Sequence, residues 1–189
     1  MKVQASNGRL DPVPESEWDE EMRDLVTRSW SGGRTDDPQN LFRTFLHHPE
    51  LFRVWSSFGA RVLHGKLPDR DRELIILRVA WHTQAVFEWA FHERVARDAG
   101  ITTEEIEAIV DGPDAPNWSA RDAALIRAAD ELRATTVFTD ETWDELAEHY
   151  DHEQLIEIPT VVGQYTMVAY ITNSLRIAPP AGKPALPKR

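Results

Sequence analysis

The chain has 189 residues, 41% of them hydrophobic and 28% charged, which is a globular composition long enough to bury a core. Its net charge of −11 argues against a general nucleic-acid binder. With zero cysteines it cannot form a disulfide, supply a thiolate nucleophile, hold zinc through sulfur or run dithiol redox chemistry of its own.

The opening stretch, MKVQASNGRLDPVPESEWDEE, has no apolar segment of the kind a secretory signal needs. No run of about 18 uncharged apolar residues occurs anywhere, so no membrane span is expected and a cytoplasmic protein is. Residues 1–14 hold Gly8, Pro12 and Pro14 and read as an extended arm. Glu15 to Arg28 is acidic first and basic last, with Trp18, Met22, Leu25 and Val26 at helical spacing. Gly32 and Gly33 predict a stop and a loop. Asn40 to His47 predicts a short helix. Pro49 suits the first turn of the next, whose stripe is Leu51, Val54, Trp55, Phe58, Val62 and Leu63, ending at Gly65.

Pro68 opens a helix through about Trp81 that is apolar nearly all round, as a central buried element would be. The pattern changes phase near His82–Ala85, which predicts a break and a second helix from Val86 to Ala99 with Gly100 as its C′ residue. Thr102 and Glu105 form a capping box for the next helix, with Ile101 and Ile106 as a staple. Ser119 caps another. Thr139 or Asp140 starts a helix carrying Trp143, Leu146 and Tyr150. Asp151 starts the last, with Pro159 in its first turns or bending it. The segment from Pro179 is proline-rich and is expected to be disordered. No strand-type alternation of useful length is found, so the fold class is all-α, with eight or nine helices. The chain has no Gly-rich phosphate loop, no Gly-x-Ser-x-Gly and no His-Glu-x-x-His.

Ionisable residues interleave with apolar ones most tightly in Arg72–Gly100. Glu88 and His92, four apart, share a helix face, and a carboxylate beside an imidazole raises the imidazole's pKa and orients it. Such a pair can hold and deliver a proton near neutral pH, or it can be an ordinary surface pair. If the chain reverses near His82–Ala85, Glu73 approaches both from the facing helix. Two carboxylates near one imidazole divide acid and base roles between them. Alternatively, Glu73 pairs with Arg70, Arg72 or Arg78 and only braces helices. His82, Glu88 and His92 form a possible two-His, one-carboxylate metal set, though not at a recognised ligand spacing. Trp81 and Trp89 read as core aromatics or as a ligand wall. The His149–His152 run reads as a capped, exposed loop.

The stretch LPDRDRELIILRVAWHTQAVFEWAFHERVARDAGITTEEIEAI resembles the carboxymuconolactone decarboxylase and AhpD-like family, and the likeness extends over roughly residues 40–177. The family's pattern is a glutamate, a Cys-x-x-Cys and a histidine four beyond the second cysteine. Glu73 matches the glutamate and His92 the histidine, while the cysteine positions fall at Ala85 and Glu88. The resemblance implies an AhpD-like helical domain over residues 15–178, no organic cofactor, and trimers or hexamers with pockets near subunit contacts. The thiol peroxidase branch is excluded by the missing cysteines, and the decarboxylase branch is the nearer one. Three readings follow. The first is a cofactor-free lyase or isomerase acting on a small carboxylated lactone or cyclic acid. It uses Glu73, Glu88 and His92 in proton transfer, Trp81, His82, Trp89 and Arg78 around the substrate, and Arg78 or Arg94 on its carboxylate. The second is a non-catalytic oligomeric scaffold. The third is a metal-dependent enzyme using His82, Glu88 and His92.

Overall fold

Helix α4 (Asp69–Thr83) is buried along nearly its whole length, chiefly against four of the helices that follow it. A computed structural model describes residues 8–29, 40–116, 118–179 and 186–187. Among the described residues it is all helical, in the order α1 (Glu20–Ser29), α2 (Asn40–Phe45), α3 (Pro49–Leu63), α4, α5 (Val86–Asp98), α6 (Thr103–Asp111), α7 (Ala120–Thr135), α8 (Asp140–Ala147) and α9 (His152–Leu175). The Gly32–Gly33 loop and most of the tail expected to be disordered lie outside the described residues.

The helix from Glu15 that the spacing predicts is divided. A 3-10 turn covers Glu15–Glu17, and α1 starts afresh because Asp19 Oδ1 accepts from Met22 N at 2.8 Å. Residues 1–7 of the expected arm lie outside the described residues; residues 8–14 are docked, with Arg9 N donating to Leu175 O at 2.9 Å and Val13 N to Arg43 O at 3.1 Å. On α3, Phe52 and Val62 are buried, whereas Leu51, Val54 and Phe58 face out. The capping boxes at Thr102–Glu105 and Asp151–Gln154 are both formed. Pro159 lies inside α9, which runs on through it.

The break expected near His82–Ala85 falls at Gln84, whose left-handed backbone (φ 53°) ends α4. Asn173 Nδ2 on α9 donates to Thr83 O at 2.8 Å, occupying a carbonyl that the end of the helix frees. Helix α5 then folds back alongside α4. It ends in a Schellman arrangement, with Ile101 N on Ala96 O at 2.9 Å, Gly100 N on Arg97 O at 3.0 Å, and Gly100 at φ 91°.

A central helix that buries charges must satisfy them. Asp71 accepts from the Tyr150 hydroxyl at 2.9 Å and from Arg121 at 3.2 Å. Tyr150 is therefore buried, unlike the exposed loop expected around it. Arg78 forks onto both oxygens of Asp130 on α7 at 2.7 and 2.8 Å, and donates to the Ile109 and Val110 carbonyls at the end of α6. Gly112 (φ 96°) lies against this guanidinium: a Cβ there would sit 3.0 Å from Nη2. No helix of the described residues is long and apolar enough to cross a membrane.

Arg78 thus joins α4, α6 and α7. Replacing it by Met leaves Asp130 with only the His82 ring as partner and takes this donor from two helix-end carbonyls. We expect Arg78→Met to lower unfolding free energy by about 3 kcal/mol in urea titration at neutral pH.

Candidate active site

The reversal at Gln84 brings Glu73 on α4 opposite His92 on α5. Glu73 has 0% exposure and His92 3%. His92 Nδ1 lies 2.7 Å from Glu73 Oε2, so the carboxylate fixes both the ring's orientation and the proton on Nδ1. Nε2 is left facing Glu88, one turn back on α5, whose Oε2 is 3.8 Å away. The ring is held edge-on by Tyr165 of α9, at 4.9 Å and 90°, and by Phe91 at 5.1 Å. Arg72 stands beside Glu73, with Nε 3.8 Å from Oε1, while its Nη2 donates to Asp69 at 2.8 Å. Both readings of Glu73 therefore meet in one place: it orients His92 and it adjoins an arginine.

Burial pushes the Glu88 carboxyl up from 4.5 to about 7, since the attraction of His92 does not offset desolvation and Glu73 adds repulsion. Burial alone would depress His92. The charge and hydrogen bond of Glu73, with the charge of Glu88, outweigh it and raise the imidazole above its ordinary value. The Tyr165 phenol is pushed well up by burial and by both glutamates, so it stays protonated. The group is thus a coupled acid–base set with one member poised near neutrality.

Glu88 and His92 open onto a cavity of about 350 Å³. Arg72, Phe87, Phe91, Gln164 and Tyr165 line it, and Phe42, Trp55, Gly59 and Leu63 continue its wall. Several polar atoms here are buried without a hydrogen-bond partner: Arg72 Nε, Glu73 Oε1, Glu88 Oε1, Trp55 Nε1 and Gln164 Oε1. Buried polar groups are nearly always paired, and these lie beside a cavity with room for water or a small polar molecule to answer them.

The structure brings Glu73, Glu88 and His92 together. Other residues singled out from the sequence lie elsewhere. Trp81 and Trp89 pack with Leu74, Leu77 and Ile109, in a core cluster that does not line the cavity. Arg78 is committed to Asp130 and α6, and His82 Nε2 lies 2.5 Å from Asp130 Oδ1. Arg94 is exposed and outside the cavity lining. His82 is therefore not with Glu88 and His92, and no cluster of three or more His, Asp or Glu suited to a metal occurs among the described residues. Sequence reasoning missed Arg72 as a cavity residue, and Trp55, Gln164 and Tyr165 altogether. Gln164 had one available signal: it is a lone amide inside the apolar run VVGQYTMVAY.

These features define a helical protein of AhpD-like fold whose buried Glu–His pair opens on an aromatic cavity. Solved structures with this fold include an AhpD-core, uncharacterized peroxidase-related protein from Ralstonia eutropha JMP134, 17% identical, with a TM-score of 0.80 over 94% of this chain and 95% of that one. An uncharacterized peroxidase-related protein from Silicibacter sp. TM1040 is 14% identical, with a TM-score of 0.80 over 96% of each chain. The debrominase Bmp8, solved with 2,3,4-tribromopyrrole, is 14% identical, with a TM-score of 0.77 over 94% of this chain and 95% of that one. At such identities the likeness establishes the fold. Among curated proteins none matches. Residues 49–131 match the model of the carboxymuconolactone decarboxylase family.

A carboxyl raised from 4.5 to about 7 binds its proton more tightly in the folded chain than in the unfolded one. The stability this gives is complete below pH 4.5 and is lost as pH rises through about 7. Glu88→Gln removes the titration. Between pH 5 and 8 the wild type should lose on the order of 3 kcal/mol relative to the variant, read from paired denaturation curves.

Proposed function

We propose that this protein is a cofactor-free lyase or isomerase of the decarboxylase-like kind, moving a proton on a small carboxylated lactone or other cyclic acid. One observation carries the reading: Glu88, poised near neutral pH beside an oriented His92, faces a cavity sized for a small ring. In the carboxylate form Glu88 takes a proton from the carbon next to a carbonyl. The electron pair moves onto the carbonyl oxygen as an enolate, which the Nε2–H of the His92 imidazolium stabilises. Return of the proton to another carbon completes an isomerisation. In a decarboxylation the enolate forms as CO2 leaves, and the protonated form of Glu88 supplies the proton to carbon. Glu73 holds His92 in place and favours its charged state. Arg72 offers a cation to the substrate carboxylate from the cavity wall, the part that Arg78 and Arg94, sited elsewhere, do not take.

Thiol peroxidase chemistry has no place here, because the chain has zero cysteines and Glu88 stands at the second thiol position of the family pattern. The peroxidase-related neighbours share the architecture without supplying that chemistry.

Self-association belongs to the same reading. Leu51, Val54 and Phe58 on α3, with Met167 and Tyr170 on α9, are large apolar side chains left exposed. A second copy of the chain would cover them.

On a panel of small carboxylated lactones, followed by product absorbance and CO2 release, Glu88→Gln and His92→Ala should each cut kcat by about 100-fold or more. Turnover that neither change reduces refutes the assignment and leaves a binding protein. Light scattering should give the mass of a trimer or hexamer, and Val54→Glu should shift it toward monomer.

A further inference from the structure

The proton-handling residues account for only part of the unpaired polarity around the cavity. Trp55 on α3 and Gln164 on α9 also line it, and each has a buried atom without a partner. Gln164 is itself only 6% exposed. They stand on α3 and α9, two helices that pack on each other. Gly59 lies one helical turn after Trp55, and a Cβ built at Gly59 would sit 3.4 Å from Gln164 Nε2. The indole is held in place by stacking on Phe45 at 4.3 Å and 13°. Its N–H is a fixed donor, and the Gln164 carbonyl is an acceptor. Neither belongs to the Glu73–His92–Glu88 set, and neither can move a proton on carbon.

We propose that Trp55 and Gln164 form a second polar anchor that reads a hydroxyl on the ligand's ring, so that the cavity selects a hydroxylated cyclic acid over the same acid without the hydroxyl. A hydroxyl answers both groups at once: its oxygen accepts from the indole N–H and its hydrogen goes to the carboxamide oxygen. A plain hydrocarbon edge would leave both unpaired inside the protein, which is how a site built for a hydroxyl rejects the analogue lacking it. This inference rests on the cavity being the substrate site proposed above, but it concerns recognition and not proton transfer.

The test is calorimetric titration of the full chain with benzoate and with 4-hydroxybenzoate. Wild type should bind the hydroxy acid about ten-fold more tightly. Trp55→Phe keeps the stacking ring and removes the N–H, and Gln164→Leu removes the amide at similar volume. Each should bring the affinity ratio toward one, with circular dichroism confirming the fold. Equal affinities in wild type, or a ratio that survives both substitutions, overturns the anchor. Failure to bind either acid at millimolar concentration overturns the anchor and the cavity's preference for cyclic acids together. A ratio that collapses as expected while Glu88→Gln leaves turnover intact keeps the anchor and sinks only the catalytic assignment.

Discussion

A glutamate with no solvent exposure on α4 and an imidazole on α5 meet at 2.7 Å, and the placing of both helices serves that contact. Burying a carboxylate is costly unless a charge or donor answers it. Here His92 answers one oxygen and Arg72 stands near the other, so the pair is tolerable only while α5 folds back at one angle and register. The left-handed turn at Gln84 sets that angle. Tyr165 holds the free edge of the ring from α9, which ties the third helix of the site to the same imidazole.

With His92 fixed in this way, Nε2 has a single acidic neighbour on its own helix, Glu88. A thiol at this position could lose electrons to a peroxide and pair with a second sulfur. A carboxyl can do neither, and the partner position, Ala85, is a buried methyl in the elbow between α4 and α5. What a carboxyl can do in such a place is titrate. Desolvation brings it from a group ionised throughout the physiological range to one half-protonated near pH 7.

Much of this was legible from residue spacing alone. The phase change after Trp81 marked the break, and once the chain reverses there, the placing of Glu73 opposite His92 follows from helical geometry. The caps at Thr102, Ser119 and Asp151 were equally readable, because a capping residue and its partner lie three residues apart. Long-range pairings were not readable in this way. Arg78 and His82 looked like candidates for ligand contact, yet both are taken by Asp130, about fifty positions further on, which no local pattern connects to α4. For Trp81 and Trp89 the sequence left core and ligand wall both open, for a related reason, and the structure places them in core. A helix apolar on every side does not declare which side faces a cavity and which faces core. Trp55 and Gln164, more than a hundred residues apart, line one cavity only because α3 packs on α9.

The same distinction separates the two kinds of buried charge in this chain. Arg78, Asp130, Asp71 and Tyr150 are paired with one another at hydrogen-bonding distance, and their side chains are closed on themselves. They brace the helices and have nothing left to offer. Around the cavity the balance is different: Arg72, Glu73, Glu88, Trp55 and Gln164 each keep an atom unanswered. A fold can carry such a deficit when another interaction of the site offsets it, and the apolar packing of α4, α5 and α9 is extensive enough to do so. Polarity left unpaired in a cavity, beside a carboxyl whose proton is evenly balanced, is the condition in which a bound acid would find both a partner for its charge and a group able to move its proton.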